Sequence, residues 1–128
     1  MPLVRIDIPE SYTPEQAQRA GQAVHQALVD IMNVPADDLF QILARQRAGT
    51  IVCTPQYLGV RHDPARALVV QVTLAPGRTV QQKRAFYART AEAVSAACDV
   101  SPSDVLIALV ETHRENWSFG DGVAHYTL

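Results

Sequence analysis

At 128 residues, 48% of them apolar and 19% charged, the chain is of single-domain size and apolar enough to bury its own core, which excludes a disordered tail. No apolar run approaches the ~18 residues of a membrane helix, and a net charge of -2 with scattered basic residues leaves no electrostatic footprint for nucleic acid or an anionic membrane. A small-molecule or protein partner in the cytoplasm is expected, because "MPLVRIDIPE" lacks the basic and apolar stretches of a signal peptide and Cys53 and Cys98 form no paired framework.

In chain order, "LVRIDI" sets Val4, Ile6 and Ile8 against Leu3, Arg5 and Asp7, the period of a half-buried strand. "TPEQ" then starts a helix. Thr13 is the cap, Pro14 takes the first helical position, where its missing N–H costs nothing, and Gln16 stands where a capping-box side chain reaches back. Ala17, Ala20, Val24, Ala27, Leu28 and Ile31 follow at helical spacing, and "NVPADD" closes the helix before a second strand, "LFQILAR". The middle segment, "QRAGTIVCTPQYLGVRHDPAR", predicts one short extra strand and a loop.

The first pattern then recurs at an offset of 66 residues. "ALVVQVTL" is the strand, Thr79 and Gln82 repeat the cap, a helix runs to about Cys98, and Asp104 falls on Asp38 before the strand "VLIALVE". The expected architecture is a single α+β domain over residues 1–128, made of two βαβ pseudo-repeats (about 2–45 and 68–111). They form a mixed four-stranded sheet with two helices on one face. The other face is left bare, so association of the chain is expected. A glycine-punctuated tail, "ETHRENWSFGDGVAHYTL", carries Trp117, Phe119 and Tyr126.

Pro2, directly behind the initiator methionine, is an ordinary residue unless Met1 is removed, which would make its nitrogen a secondary amine. An α-amino group titrates near ~7.7 to 8.0. Burial beside cations lowers that value towards a base usable at neutral pH, and a neighbouring carboxylate holds the group as a cationic acid. Arg78, in "APGRT", precedes the Thr79 cap, where a guanidinium and the free N–H groups of a helix start can grip a carboxylate; its plain alternative is a solvated loop arginine. The histidines show no HExxH or other ligand spacing, "APGRT" lacks the glycines and lysine of a phosphate loop, and no Ser or Cys nucleophile motif is present. No metal and no other cofactor is expected.

The duplicated βαβ halves, Pro2, Arg78 and the aromatic tail together resemble the tautomerase superfamily, the 4-oxalocrotonate tautomerase-like proteins. "VPADDLFQ", "VSPSDVLIALVE" and most specifically "NWSFGDGVAHY" are similar to the malonate semialdehyde decarboxylase group. The resemblance spans nearly the whole chain. It implies a homotrimeric enzyme in which Pro2, freed of Met1, is general acid or base on a small carboxylate-bearing 2-oxo or 3-oxo acid, by keto–enol tautomerisation or malonate semialdehyde-type decarboxylation. Pro2, Asp38 and Arg78 are then the catalytic residues. Arg61 and His62 would add a second positive contact to the substrate, and Trp117, Phe119 and Tyr126 an apolar wall. Asp38 falls on the aspartate which the decarboxylases place beside their proline, yet Asp104 at the same point of the second half suggests a turn or capping role built into the repeat. Both readings stay open. The chain departs from the decarboxylase pattern twice: "LAPGR" has one arginine where that loop has two flanking a proline, and Asp121 replaces a phenylalanine. The competing reading is a non-enzymatic ferredoxin-like regulatory or assembly module, with Pro2 a tolerated strand-start proline.

Overall fold

The computed structural model describes all 128 residues, Met1–Leu128. Two helices begin as their sequences require. At α1 (Pro14–Met32) the Thr13 hydroxyl accepts from Gln16 N–H at 3.1 Å and the Gln16 side chain accepts from Thr13 N–H at 2.8 Å. At α2 (Val80–Cys98) Thr79 and Gln82 make the same pair at 3.1 and 3.0 Å. Each box supplies acceptors to N–H groups that the first turn leaves without a helical partner. Both helices end on a left-handed residue with a short polar side chain, Asn33 at φ 59° and Asp99 at φ 52°. The capping glutamines also tie the helices head to tail. Gln16 Nε2 donates to Cys98 O at 3.2 Å, and Gln82 Nε2 donates to Ile31 O at 3.4 Å.

The strands are β1 (Leu3–Pro9), β2 (Gln41–Gln46), β3 (Gln56–Tyr57), β4 (Val60–Arg61), β5 (Leu68–Leu74) and β6 (Val105–Glu111). The main sheet has the order β2-β1-β5-β6. β1 runs parallel to β2 with Val4 opposite Gln41, and β5 runs parallel to β6 with Leu68 opposite Val105. The two inner strands meet antiparallel, Leu3 opposite Thr73 and Asp7 opposite Val69. Parallel pairs need crossover helices, and the fixed hand of the crossover lays both on one face. Between helices and sheet, Ile6, Ile8, Val70, Val72, Val24, Leu28, Phe86 and Val94 are fully buried in one core. Truncating such a side chain to alanine costs roughly 2–5 kcal/mol.

On the opposite face Leu3, Ile42, Leu106 and Val110 remain between 38 and 48% exposed. The middle segment differs from the expected single strand. It folds as a β3–β4 hairpin whose turn, Leu58–Gly59, takes φ 49° and 79°. Two positive φ angles define the turn that suits a tight hairpin, and leucine is not the asparagine or glycine by which such turns are read from sequence. No helix is long and apolar enough to cross a membrane.

Candidate active site

The sheet topology gathers one end of four segments. Pro2, buried, leads into the start of the central strand β1. Because β2 is parallel to β1, the connection entering β2 returns to the same end, and Val4 N–H donates to Phe40 O at 3.0 Å, two residues past Asp38. Because β5 is antiparallel, its finish lies beside Leu3, so the following loop delivers Arg78 there. β6 finishes beside β5, with Thr112 N–H donating to Leu74 O at 2.9 Å, and the aromatic tail departs from that point.

In this chain the terminal amine belongs to Met1, and it forms an ion pair with Asp38, both side chains being less than a fifth exposed. Burial, and next the Arg78 guanidinium, lower the amine from its ordinary 8.0 to about 6, while the Asp38 carboxylate paired with it acts the other way. Arg78 is no freely solvated loop residue. Its Nε and Nη2 donate to Met32 O at 3.3 and 3.0 Å, and Nη1 donates to Ala75 O at 3.3 Å. The guanidinium therefore sits at the negative end of the α1 dipole with three of its five N–H groups engaged, and two remain. An open cavity of about 350 Å³ borders it, lined by Met32, Asn33, Pro76, Gly77 and Gln82.

The aromatic tail folds onto this end through Phe40, whose ring centroid lies 5.4 Å from that of Phe119. Phe119 is the hub. Trp117 stacks on it at 5.5 Å and an interplanar angle of 1°, and Tyr126 meets it edge-on at 5.3 Å. Such pairs each add about 0.5–1.5 kcal/mol beyond area burial. His125 flanks the same ring at 6.0 Å, and the Arg114 guanidinium lies 5.7 Å over Tyr126. The Trp117 indole N–H is buried without an acceptor. Phe40 and His125 carry no signal in the sequence that marks them for the site. Phe40 sits inside "VPADDLFQ" and is legible only as a strand residue, while His125 reaches Phe119 only because the tail doubles back.

Two of the sequence candidates are not brought here. Arg61, exposed on β4, and His62, whose Nδ1–H donates to Thr54 O at 2.8 Å, precede the start of β5. The antiparallel pairing puts that start beside Asp7, the far end of β1. Asp104 is at that end too, 5% exposed, its Oδ1 accepting from Asp63 N–H at 2.7 Å. There it has the turn role open to either aspartate. A larger cavity of about 760 Å³, lined by Pro9, Ser11, Arg47, Ile51, Cys53 and Ala65 among others, also lies at the far end of β1.

Comparison with known proteins agrees with this architecture. A family model described as tautomerase enzyme matches residues 38–120, and a second of the same description matches residues 2–61. The probable tautomerase YusQ of Bacillus subtilis is 32% identical over 97% of this chain and 97% of its own length. Among solved structures, a malonate semialdehyde decarboxylase inhibited by 3-bromopropiolate shares 35% identity at a TM-score of 0.89, over 97% of this chain and 93% of that one. A second malonate semialdehyde decarboxylase, solved in wild-type, mutant and inactivated forms, shares 34% at a TM-score of 0.86, over 97% and 95%. A fused 4-OT that is a symmetric trimer shares 25% at 0.77, over 94% of each chain. Alike in sequence along almost its whole length and alike in fold, the chain belongs to the tautomerase superfamily, with a likeness to the malonate semialdehyde decarboxylases.

Proposed function

We propose that the protein is an enzyme acting on a small 2-oxo or 3-oxo acid, with Pro2, once Met1 is removed, as its proton-carrying group. The observation that carries the reading is the terminal amine, here that of Met1, paired with Asp38 and lowered to about 6 by burial and by the Arg78 charge. An amine with that value is largely neutral at pH 7 and can serve as a base. Removal of Met1 leaves the Pro2 nitrogen one residue inward on a buried, rigid ring. In the tautomerase reaction that nitrogen takes the enol O–H proton as the carbonyl forms, and the resulting ammonium returns a proton to carbon. The two remaining N–H groups of Arg78 hold the substrate carboxylate. Trp117, Phe119 and Tyr126 exclude water and strengthen these charges.

The Asp38 contact favours a second use of the same parts, and the likeness to malonate semialdehyde decarboxylases supports it. Held as a cation, Pro2 polarises a 3-oxo group. The bond from the α-carbon to the carboxylate breaks, its electron pair passes into the enolate, carbon dioxide leaves, and the ammonium protonates the carbon. The bare apolar sheet face and the trimeric relative support a homotrimer.

The test begins with intact mass. A chain short by one methionine is then mixed with phenylenolpyruvate, malonate semialdehyde and a propynoate, and products are followed by NMR. Ketonisation of phenylenolpyruvate identifies the first reaction, release of acetaldehyde the second, and hydration of the propynoate a third use of the same parts, with Asp38 or Pro2 activating the water. Pro2→Ala is expected to lower turnover by about 10²–10⁴-fold. No turnover of any of these acids by protein with a free Pro2 amine would overturn the proposed activity.

A further inference from the structure

The tail reverses on itself between its aromatic residues. Gly120, Asp121 and Gly122 take φ 138°, 57° and 67°, a run of positive angles that two glycines make accessible. The reversal returns His125 to Phe119, where Phe119 N–H donates to His125 Nδ1 at 3.1 Å. No other hydrogen bond joins residues 117–119 to residues 124–128. A donor at Nδ1 requires a lone pair there, so the imidazole is neutral with its proton on Nε2. The residue held by this bond is Phe119, the hub on which Phe40, Trp117 and Tyr126 all pack.

We propose that His125 is the positioning residue of the aromatic wall. Its Nδ1 latches the two arms of the tail together and so fixes Trp117, Phe119 and Tyr126 relative to the Pro2 end of the sheet. His125 takes no proton from the substrate and acts only through Phe119. The inference rests on the reading above in one respect, that the wall borders the substrate. The latch itself is a matter of geometry and can be tested without any substrate.

Trp117 is the chain's single tryptophan, so its emission reports the wall directly. His125→Ala removes the acceptor, and His125→Asn keeps an oxygen about where Nδ1 stands. At unchanged far-UV circular dichroism, the alanine variant is expected to shift Trp117 emission to the red and to expose it to acrylamide quenching. The asparagine variant should return both to wild-type values. With whichever acid the enzyme turns over, the alanine variant should lose about tenfold in kcat/KM and the asparagine variant should recover most of it, as for a misplaced rather than a missing group. Wild-type emission and quenching in the alanine variant overturn the proposal, as does an asparagine variant as impaired as alanine. Should the alanine variant fail to fold, hydrogen exchange at the Phe119 amide of the wild type decides, fast exchange overturning the latch. Loss of the functional reading looks different: no acid is turned over, yet Trp117 still responds to His125→Ala and not to His125→Asn.

Discussion

Met32 and Cys98 close the two helices, and the carbonyl of each accepts from an arginine distant in the chain, Arg78 at Met32 and Arg66 at Cys98. Neither helix has a basic residue in its last turn, so these guanidiniums supply the cation that the negative end of each helix favours. To this point the two βαβ units are built alike, and they part at the carboxylates. Asp104 accepts from the Asp63 N–H, whereas Asp38, at the same offset, faces the terminal amine. Tyr12, 66 residues before Arg78, is a fully buried ring beneath the Arg66 guanidinium at 3.8 Å, its hydroxyl donating to Arg66 O at 2.6 Å. One local pattern thus makes two kinds of end. At one end the carboxylate accepts from a backbone N–H of its own chain, and at the other it faces the terminal amine beside a guanidinium with two N–H groups left.

The largest expected effect separates the two aspartates. Asp38→Asn should lower turnover by about 10²-fold or more through the loss of a charge beside the reacting amine, with little change in the urea midpoint. Asp104→Ala should do the reverse, costing about 1–3 kcal/mol by stranding the Asp63 N–H while turnover per folded molecule is kept. Loss of turnover in Asp104→Ala would break the comparison.

The arginines sharpen it at smaller scale. Arg66→Ala should destabilise by about 1–2 kcal/mol, from the helix-end contacts and the cation over Tyr12, without touching KM. Arg78→Lys keeps a positive charge at the α1 terminus but forfeits the planar fork, so KM for the acid should rise by about tenfold while stability falls by less than about 1 kcal/mol. Equal changes in KM for the two variants, measured by initial rates, would remove the distinction between the ends.

A last effect concerns the amine itself, which the second unit lacks. With Met1 retained, the folded chain gives up this proton near 6 and the unfolded chain near 8.0. Between those values the unfolded state binds more protons, so stability should rise with pH from 6 to 8 and be lost as pH falls. Urea melts of the Met1-bearing chain and its N-terminally acetylated form should show this slope only in the former.

How far the sequence can be read follows from the range of each interaction. The capping boxes at Thr13 and Thr79 act over three residues, and the alternation in β1 and β5 acts over two, so both are legible in the sequence itself. The hairpin turn is not, because Leu58 carries a positive φ without the residue type that advertises it.

For the candidate site, the resemblance to the tautomerases singles out Pro2, Asp38, Arg78 and the tail aromatics, and the antiparallel meeting of β1 and β5 decides their company. It draws Arg78 towards Pro2 and puts Arg61 and His62 at the other end of the sheet. Asp38 and Asp104 share a local pattern and differ only in partners, one of them 37 and the other 41 residues away along the chain. The sequence by itself determined the two helices, the four strands of the main sheet, the helix caps and the faces they bury, because those depend on neighbours along the chain. Only the tertiary structure decided which carboxylate faces the terminal amine, which arginine donors remain and that His125 holds Phe119, because each depends on what the fold brings from far away.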